Sequence, residues 1–327
     1  MKEIAELRWN PLLEEWVAIA AHRQERPQMP KGWCPFCPGS GKVPEHYDVH
    51  IYHNDFPTFA LDVSNPTTSA STLYPVAKAQ GVCDVVLYHP DHNTSLPQLP
   101  HQHLVKLVRL WQQRFIELKQ NATIKYIFIF ENKGEVIGVT MPHPHGQIYA
   151  FPYIPPKIVV ELNASRKYYL KHQQCLYCVI LQQELAEKTR IVTENFSFLA
   201  FVPFFARWPY EVHIYAKRHC QTIDELQERE VSDLAQILKT VTQAYDQLFG
   251  FSFPYMMVMH QAPVDLAYPD YHFHIEFYPP HRSKTKLKYL AGCESGAGTF
   301  INDTIPEEKA AELRAAINHE TTTVSRI

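Results

Sequence analysis

The stretch Met141–Ala150 reads MPHPHGQIYA and holds two histidines, His143 and His145, on either side of a proline. In an extended strand alternate side chains share a face, so both imidazoles and the amide of Gln147 point the same way. Pro144 fixes φ between them and removes a backbone donor. An imidazole held this firmly is oriented before substrate arrives, which suits nucleophilic attack. Toward phosphorus, a neutral imidazole gives a reactive phosphoramidate. Two C-x-x-C pairs, WCPFC (Cys34, Cys37) and QCLYC (Cys175, Cys178), have the spacing with which one short loop offers two thiolates to a metal.

A closed zinc site takes four N or S ligands in a tetrahedron. The matching histidines are His92 and His143 for Cys34 and Cys37, and His219 and His272 for Cys175 and Cys178. Four protein ligands leave no open position, so the reading is two structural zinc ions per chain rather than catalytic ones. A metal on His143 would hold His145 in register one step along the strand. Cys83, Cys220 and Cys293 follow no such pattern and read as packing or surface thiols.

The elements that position these groups occur twice. Each Cys pair is followed by short strands, a strand ending near a histidine, a long amphipathic helix and a strand carrying His-x-His. Cys37 to His92 spans 55 residues and Cys178 to His219 spans 41, a loop-sized difference. His92 to His143 and His219 to His272 are nearly equal, at 51 and 53 residues. The helical patterns run from His101 to Lys119 and from about Gln227 to Phe249. HPHGQIY lies over HFHIEFY when the closing strands are aligned. One duplicated α+β unit accounts for this order. The expected halves are residues 1–160 and 161–327, joined across 155–172.

At 327 residues and 46% hydrophobic content the chain has material for a substantial core. No apolar run reaches the roughly 18 residues that cross a bilayer. The opening MKEIAELRWN carries charges where a signal peptide needs an apolar stretch, so the expectation is a cytoplasmic protein without a disulfide framework. Net charge −3 and pI near 6.6 argue against a nucleic-acid or membrane surface but leave room for a small anion.

PHPHGQ (142–147), preceded by FENKG (130–134), resembles the signature of the galactose-1-phosphate uridylyltransferases of the histidine-triad superfamily. The likeness runs through HRQERP (22–27), NDF (54–56), PDHNTSLPQL (90–99), FYPP (277–280) and KYLAGCE (288–294). It implies an α+β fold of two tandem histidine-triad-like units, each an antiparallel sheet with packed helices. It also implies ping-pong uridylyl transfer between UDP-glucose and galactose 1-phosphate through a uridylyl-histidine at His145. Members that hydrolyse nucleotides carry a third histidine where Gln147 stands. An amide can hydrogen-bond phosphoryl oxygens but cannot protonate a leaving group, which favours transfer over hydrolysis.

By the same resemblance Arg23, Arg26 and Thr140 join Gln147 as donors to the phosphoryl oxygens. Asn132 and Gly138 line the phosphate and nucleotide region, and Asn54, Asp55 and Phe56 hold uridine and ribose. Lys288 and Glu294 lie near the sugar, and a homodimer with substrate contacts from both subunits is expected. Two departures stand out. Better-known members build their second metal site from a Glu and three His. Here Glu161, His260 and His274 match, but Glu276 replaces the last histidine, so the second ion is expected on Cys175, Cys178, His219 and His272, with His274 as an alternative to His272 and an iron-type site on Glu161, His260 and His274 as the alternative set. Cys293 and Phe300 stand where those members carry Tyr and Gln, which touches hexose selectivity. Competing readings are adenylyl transfer to phosphate, as in ADP-glucose phosphorylase, and a non-catalytic zinc or nucleotide-binding scaffold.

Overall fold

The structure, a computed structural model, describes residues 5–25 and 32–324. In the first half β1 (Ala5–Asn10) and β2 (Glu15–Ala20) form a hairpin, followed by β3 (His50–His53), β4 (Val76–Lys78) and β5 (Val82–Leu87). Helix α1 (His101–Leu118), β6 (Tyr126–Lys133) and β7 (His145–Phe151) complete it. The connection expected across 155–172 is helical: α2 (Pro156–His172) leads into α3 (Leu176–Glu187). Strands β8 (Ile191–Glu194), β9 (Phe198–Phe201) and β10 (Val212–Ala216) precede α4 (Glu228–Phe249). Then come β11 (Tyr255–His260), β12 (His274–Tyr278), α5 (Gly292–Ala297) and α6 (Pro306–Val324). Among the described residues no helix is long and apolar enough to cross a membrane.

The two long helices fall where the apolar spacing put them. Leu104, Leu107, Val108, Trp111, Phe115 and Leu118 make one buried stripe on α1. Val231, Leu234, Leu238, Val241 and Tyr245 do so on α4, which starts on a Gln227–Glu230 capping box and ends at Gly250, a left-handed residue with φ 72°. The stripes of α1, α4 and α6 bury one face of a sheet, against Ile127, Ile129, Ile148, Met257, Ile275 and Phe277.

That sheet is antiparallel throughout and runs through both halves in the order β3-β5-β7-β6-β11-β12-β10-β9-β8. The α+β class with antiparallel sheets is as expected. The halves are not separate sheets, however, because β6 pairs with β11 from Ile129↔Met259 to Lys133↔Tyr255. A second, three-stranded sheet, β2-β1-β4, flanks the first half. Directly opposed residues share a face. Val85, Gln147, Phe130, Val258, Glu276 and His213 therefore form one row across the large sheet, on the side away from α1 and α4. Helices α2 and α3 cover that side in the second half. In the first half the loop carrying Phe36 and Val43 covers it instead.

Gly146 lets the strand bearing His145 lie flat on the helical layer. A Cβ there would come 2.2 Å from Tyr88 Oη and 3.0 Å from the Phe130 carbonyl oxygen. Overpacking of this kind typically costs about 1–3 kcal/mol. Gly146→Ala should lower the urea midpoint by about that free energy, whereas Gly292→Ala, with nothing within 4 Å, should not. An unchanged midpoint for Gly146→Ala would show that Tyr88 yields without cost.

Candidate functional site

Cys34, Cys37, His92 and His143 converge, with their ligand atoms all within 4.8 Å of one another. Cys34 and Cys37 sit on one tight turn, where the Cys37 amide donates to the Cys34 carbonyl at 3.3 Å. Cys37 Sγ is 3.6 Å from Nδ1 of both His92 and His143, and Cys34 Sγ is 3.7 Å from His143 Nδ1. A tetrahedron with zinc–sulfur and zinc–nitrogen bonds of normal length has S···N edges of about 3.6 Å, so the set fits that ion. The far nitrogen of His143, Nε2, donates to the His89 carbonyl at 2.9 Å, with Tyr47 Oη at 3.1 Å. This fixes the ring and leaves Nδ1 for the metal. Burial pushes the Cys37 thiol up to about 11 and holds His143 down at about 4, so the imidazole is neutral at ordinary pH.

His145 begins β7, where alternation turns His145 and Gln147 to the open face and buries Gly146 and Ile148. Its Nδ1 donates to the carbonyl oxygen of His143 at 2.7 Å, which places the lone pair on Nε2. His143 is thus shared, its ring facing the thiols and its carbonyl orienting the neighbour. His145 lines two cavities. One, of about 410 Å³, is walled by Trp33, Phe36, Tyr52 and Phe56 and reaches Gln147, Asn54, Asp55 and Lys42. The other, of about 490 Å³, is more polar and reaches Asn132, Lys133, Gly134 and Glu135.

Asn54, Asp55 and Phe56 form a braced loop. Asn54 Oδ1 accepts the Phe56 amide at 2.9 Å, and Tyr52 donates to Asp55 Oδ2 at 2.7 Å. Arg23 donates to the Phe56 carbonyl at 2.6 Å, so it is tied to the same loop. Gly138 ends a short turn in the left-handed region, with φ 84°. Thr140 lies between Val139 and Met141, both of which line the polar cavity. Arg26 lies outside the described residues. Lys288 and Glu294 pair with each other at 2.9 Å and line neither cavity. Of the aromatic wall, sequence reasoning named Phe56 but passed over Trp33, Phe36 and Tyr52, although Phe36 sits inside the C-P-F-C turn and Trp33 precedes it.

The second half repeats the first arrangement closely. Cys175, Cys178, His219 and His272 bring their ligand atoms within 4.8 Å of one another. Cys178 Sγ is 3.6 Å from His219 Nδ1 and 3.5 Å from His272 Nδ1. Both far nitrogens donate to carbonyls, His272 to Ala216 at 2.8 Å and His219 to Pro269 at 3.0 Å. It is His272, not His274, that joins this set. His274 Nδ1 donates to the His272 carbonyl at 2.8 Å, as His145 does to His143.

A third group, Glu161, His260, His274 and Glu276, also gathers within 4.8 Å. Here α2 closes over the sheet. His260 Nδ1 is 3.0 Å from Glu161 Oε2, which also accepts from Tyr271 at 2.6 Å. Burial alone would raise the Glu276 carboxyl, but His213, His260 and Lys157 outweigh it and hold it well below the usual range. Lys157 is the member that sequence reasoning missed.

Two family models match the chain, Galactose-1-phosphate uridyl transferase, N-terminal domain, over residues 1–155 and the corresponding C-terminal domain over residues 161–324. The galactose-1-phosphate uridylyltransferase of Thermotoga maritima is 46% identical over 313 residues, which cover 94% of this chain and 98% of that protein. A solved uridylyltransferase structure superposes with a TM-score of 0.89 at 40% identity, covering 96% of this chain and 99% of its own. An ADP-glucose phosphorylase from Arabidopsis thaliana with bound ADP-glucose superposes at 0.74 with 25% identity, covering 95% of this chain and 98% of its own.

The buried imidazole of His143 gives the metal-stripped protein a defined pH response. An unfolded histidine takes its proton near 6.5, the folded one only near 4. Between those values the unfolded state binds more protons, so stability should fall as pH drops from about 6.5 to about 4. The urea midpoint should follow that fall, and His143→Asn should make it shallower without abolishing it, because burial holds His50, His89 and His274 down as well. A flat profile in the unmodified protein would contradict the burial of a neutral ring.

Proposed function

The chain belongs to the galactose-1-phosphate uridyl transferase family and is a uridylyltransferase enzyme, and from that premise we propose a ping-pong exchange of hexose phosphates through an adduct on His145. His145 Nε2 attacks the α-phosphorus of UDP-glucose, the N–P bond forms, and the bond to glucose 1-phosphate breaks. Galactose 1-phosphate then attacks the uridylyl-histidine, UDP-galactose leaves, and the imidazole is restored. The observation that carries this reading is the 2.7 Å bond from His145 Nδ1 to the His143 carbonyl. It sets the tautomer with Nε2 as nucleophile, and the same carbonyl stabilises the positive ring of the adduct.

In this reading the aromatic cavity takes the uridine, with its base against Phe36 and Phe56 and its ribose toward Asn54 and Asp55. Gln147, Asn132, Thr140, Arg23 and Arg26 meet the phosphoryl oxygens, and Gly138 gives the loop its turn beside them. Gln147 supplies donors but no acid, so the adduct persists until a second phosphate arrives. Zinc fits both Cys₂His₂ sets, two ions per chain, each held by four side chains; bound there it fixes the strands that carry His145 and His274 and offers no reacting position. Lys288 and Glu294 line neither cavity of their own chain. We assign them to the hexose in a second copy's site, which makes the working enzyme a homodimer.

The likeness to an ADP-glucose phosphorylase keeps adenylyl transfer to phosphate as a second reading. Intact mass after separate incubation with UDP-glucose and ADP-glucose distinguishes the two. The expected result is a uridylyl adduct that His145→Ala lacks and that galactose 1-phosphate removes. An adenylyl adduct cleared by phosphate would move the assignment to the phosphorylase reaction, and no adduct from either would sink the covalent route. Gln147→Ala should keep the adduct-forming histidine but lower kcat by about 10²–10³-fold, the range for losing one donor to a developing oxyanion. A kcat within twofold of the parent enzyme would remove Gln147 from that role.

A further inference from the structure

The ligand atoms of Glu161, His260, His274 and Glu276 lie within 4.8 Å of one another, close enough for the group to hold a metal ion. The residues around it fit that ion poorly. Lys157, one turn before Glu161 on α2, puts its ammonium 2.6 Å from Glu276 Oε2 and 3.9 Å from Glu161 Oε1. The same ammonium bonds Tyr278 Oη and lies 4.9 Å above the Tyr278 ring. Tyr278 in turn donates to Glu276 Oε2, the oxygen that already accepts from Lys157.

The remaining carboxylate oxygens are engaged as well. Glu276 Oε1 has His213 Nε2 at 3.4 Å and His274 Nε2 at 3.5 Å. Glu161 Oε2 accepts from His260 and Tyr271. A divalent ion entering here would meet the Lys157 ammonium on the oxygen it needs, in a place where Glu276 is only 4% exposed while the stem of Lys157 reaches in from the half-exposed face of α2. Among the described residues, neither thiolate set has such a cation within its bonding contacts.

We propose that the Lys157 ammonium is the resident cation of this group, taking a metal's place and fastening α2 across β11 and β12. The consequence reaches the repeat. His274 and Glu276 are the second half's copies of His145 and Gln147, on the same face of the same sheet. With Lys157 and Glu161 laid over them, that copy is sealed by the chain itself.

The test is the metal content of the full-length protein after exposure to ferrous and zinc ions and desalting, with melting temperatures measured alongside. Unmodified protein and Glu161→Gln should hold equal numbers of ions, because the group contributes none. That comparison is blind to how many ions the thiolate sets carry, so it stands apart from the zinc reading above. Lys157→Met should gain one ion per chain or melt several degrees lower, and Lys157→Arg should match the unmodified protein in both. One ion more in the unmodified protein than in Glu161→Gln would overturn the proposal. So would a Lys157→Met variant unchanged in ion count and melting temperature, or a Lys157→Arg variant that behaves like Lys157→Met.

Discussion

His143 is asked to do two things at once, and the geometry of the first half follows from that demand. Its ring closes the Cys34, Cys37 and His92 set, while its carbonyl oxygen accepts the Nδ1 proton of His145. The two bonds leave the residue little freedom, because only χ2, χ1 and ψ separate ring from carbonyl oxygen and both ends are held. Pro144 then removes the next φ as a variable. The loop that brings the thiols also brings Phe36, whose ring lies 5.6 Å from that of His145. Anchoring the loop therefore builds the aromatic wall in the same step. An ion held there would set the position of that carbonyl, and through it of His145, without touching a reacting atom.

The second half repeats that device under a different cover. His272 repeats the ring and carbonyl roles of His143, and His274 repeats the bond of His145. What differs is what lies above. Over β7 the cover is a loop that leaves cavities, whereas over β12 it is α2 with Glu161 and Lys157. Duplication thus yields one open histidine face and one closed one on a single continuous sheet. The difference comes from the segment between the halves rather than from either half's strands.

Much of this was legible in the residues because it is local or repeated. The helices α1 and α4 follow from apolar spacing over about five and six turns, a signal that survives without tertiary context. Both Cys₂His₂ sets follow from ligand chemistry plus the repeat, which pairs His92 with His219 and His143 with His272, although only the distances choose His272 over His274. The join between β6 and β11 was not legible, since antiparallel pairing between distant strands leaves no mark on either one. Lys157 was hidden for another reason. A lysine early in a surface helix looks solvated, and only the register of α2 over β12 turns it toward Glu276. Lys288 and Glu294 show a third kind of limit: their motif was recognisable, but within one chain they meet each other and line neither cavity beside His145.

The pairing of β6 with β11 also bears on how the chain comes into being. During synthesis β5, β6 and β7 can associate early, yet β6 keeps an open row of backbone donors and acceptors until Tyr255–His260 has been made. Contacts this far apart in sequence slow the search for the native state, and an unpaired edge invites the wrong neighbour meanwhile. For the nascent chain, the first half is therefore a scaffold awaiting its second edge. The second half thus supplies the strand that covers the first half's open edge.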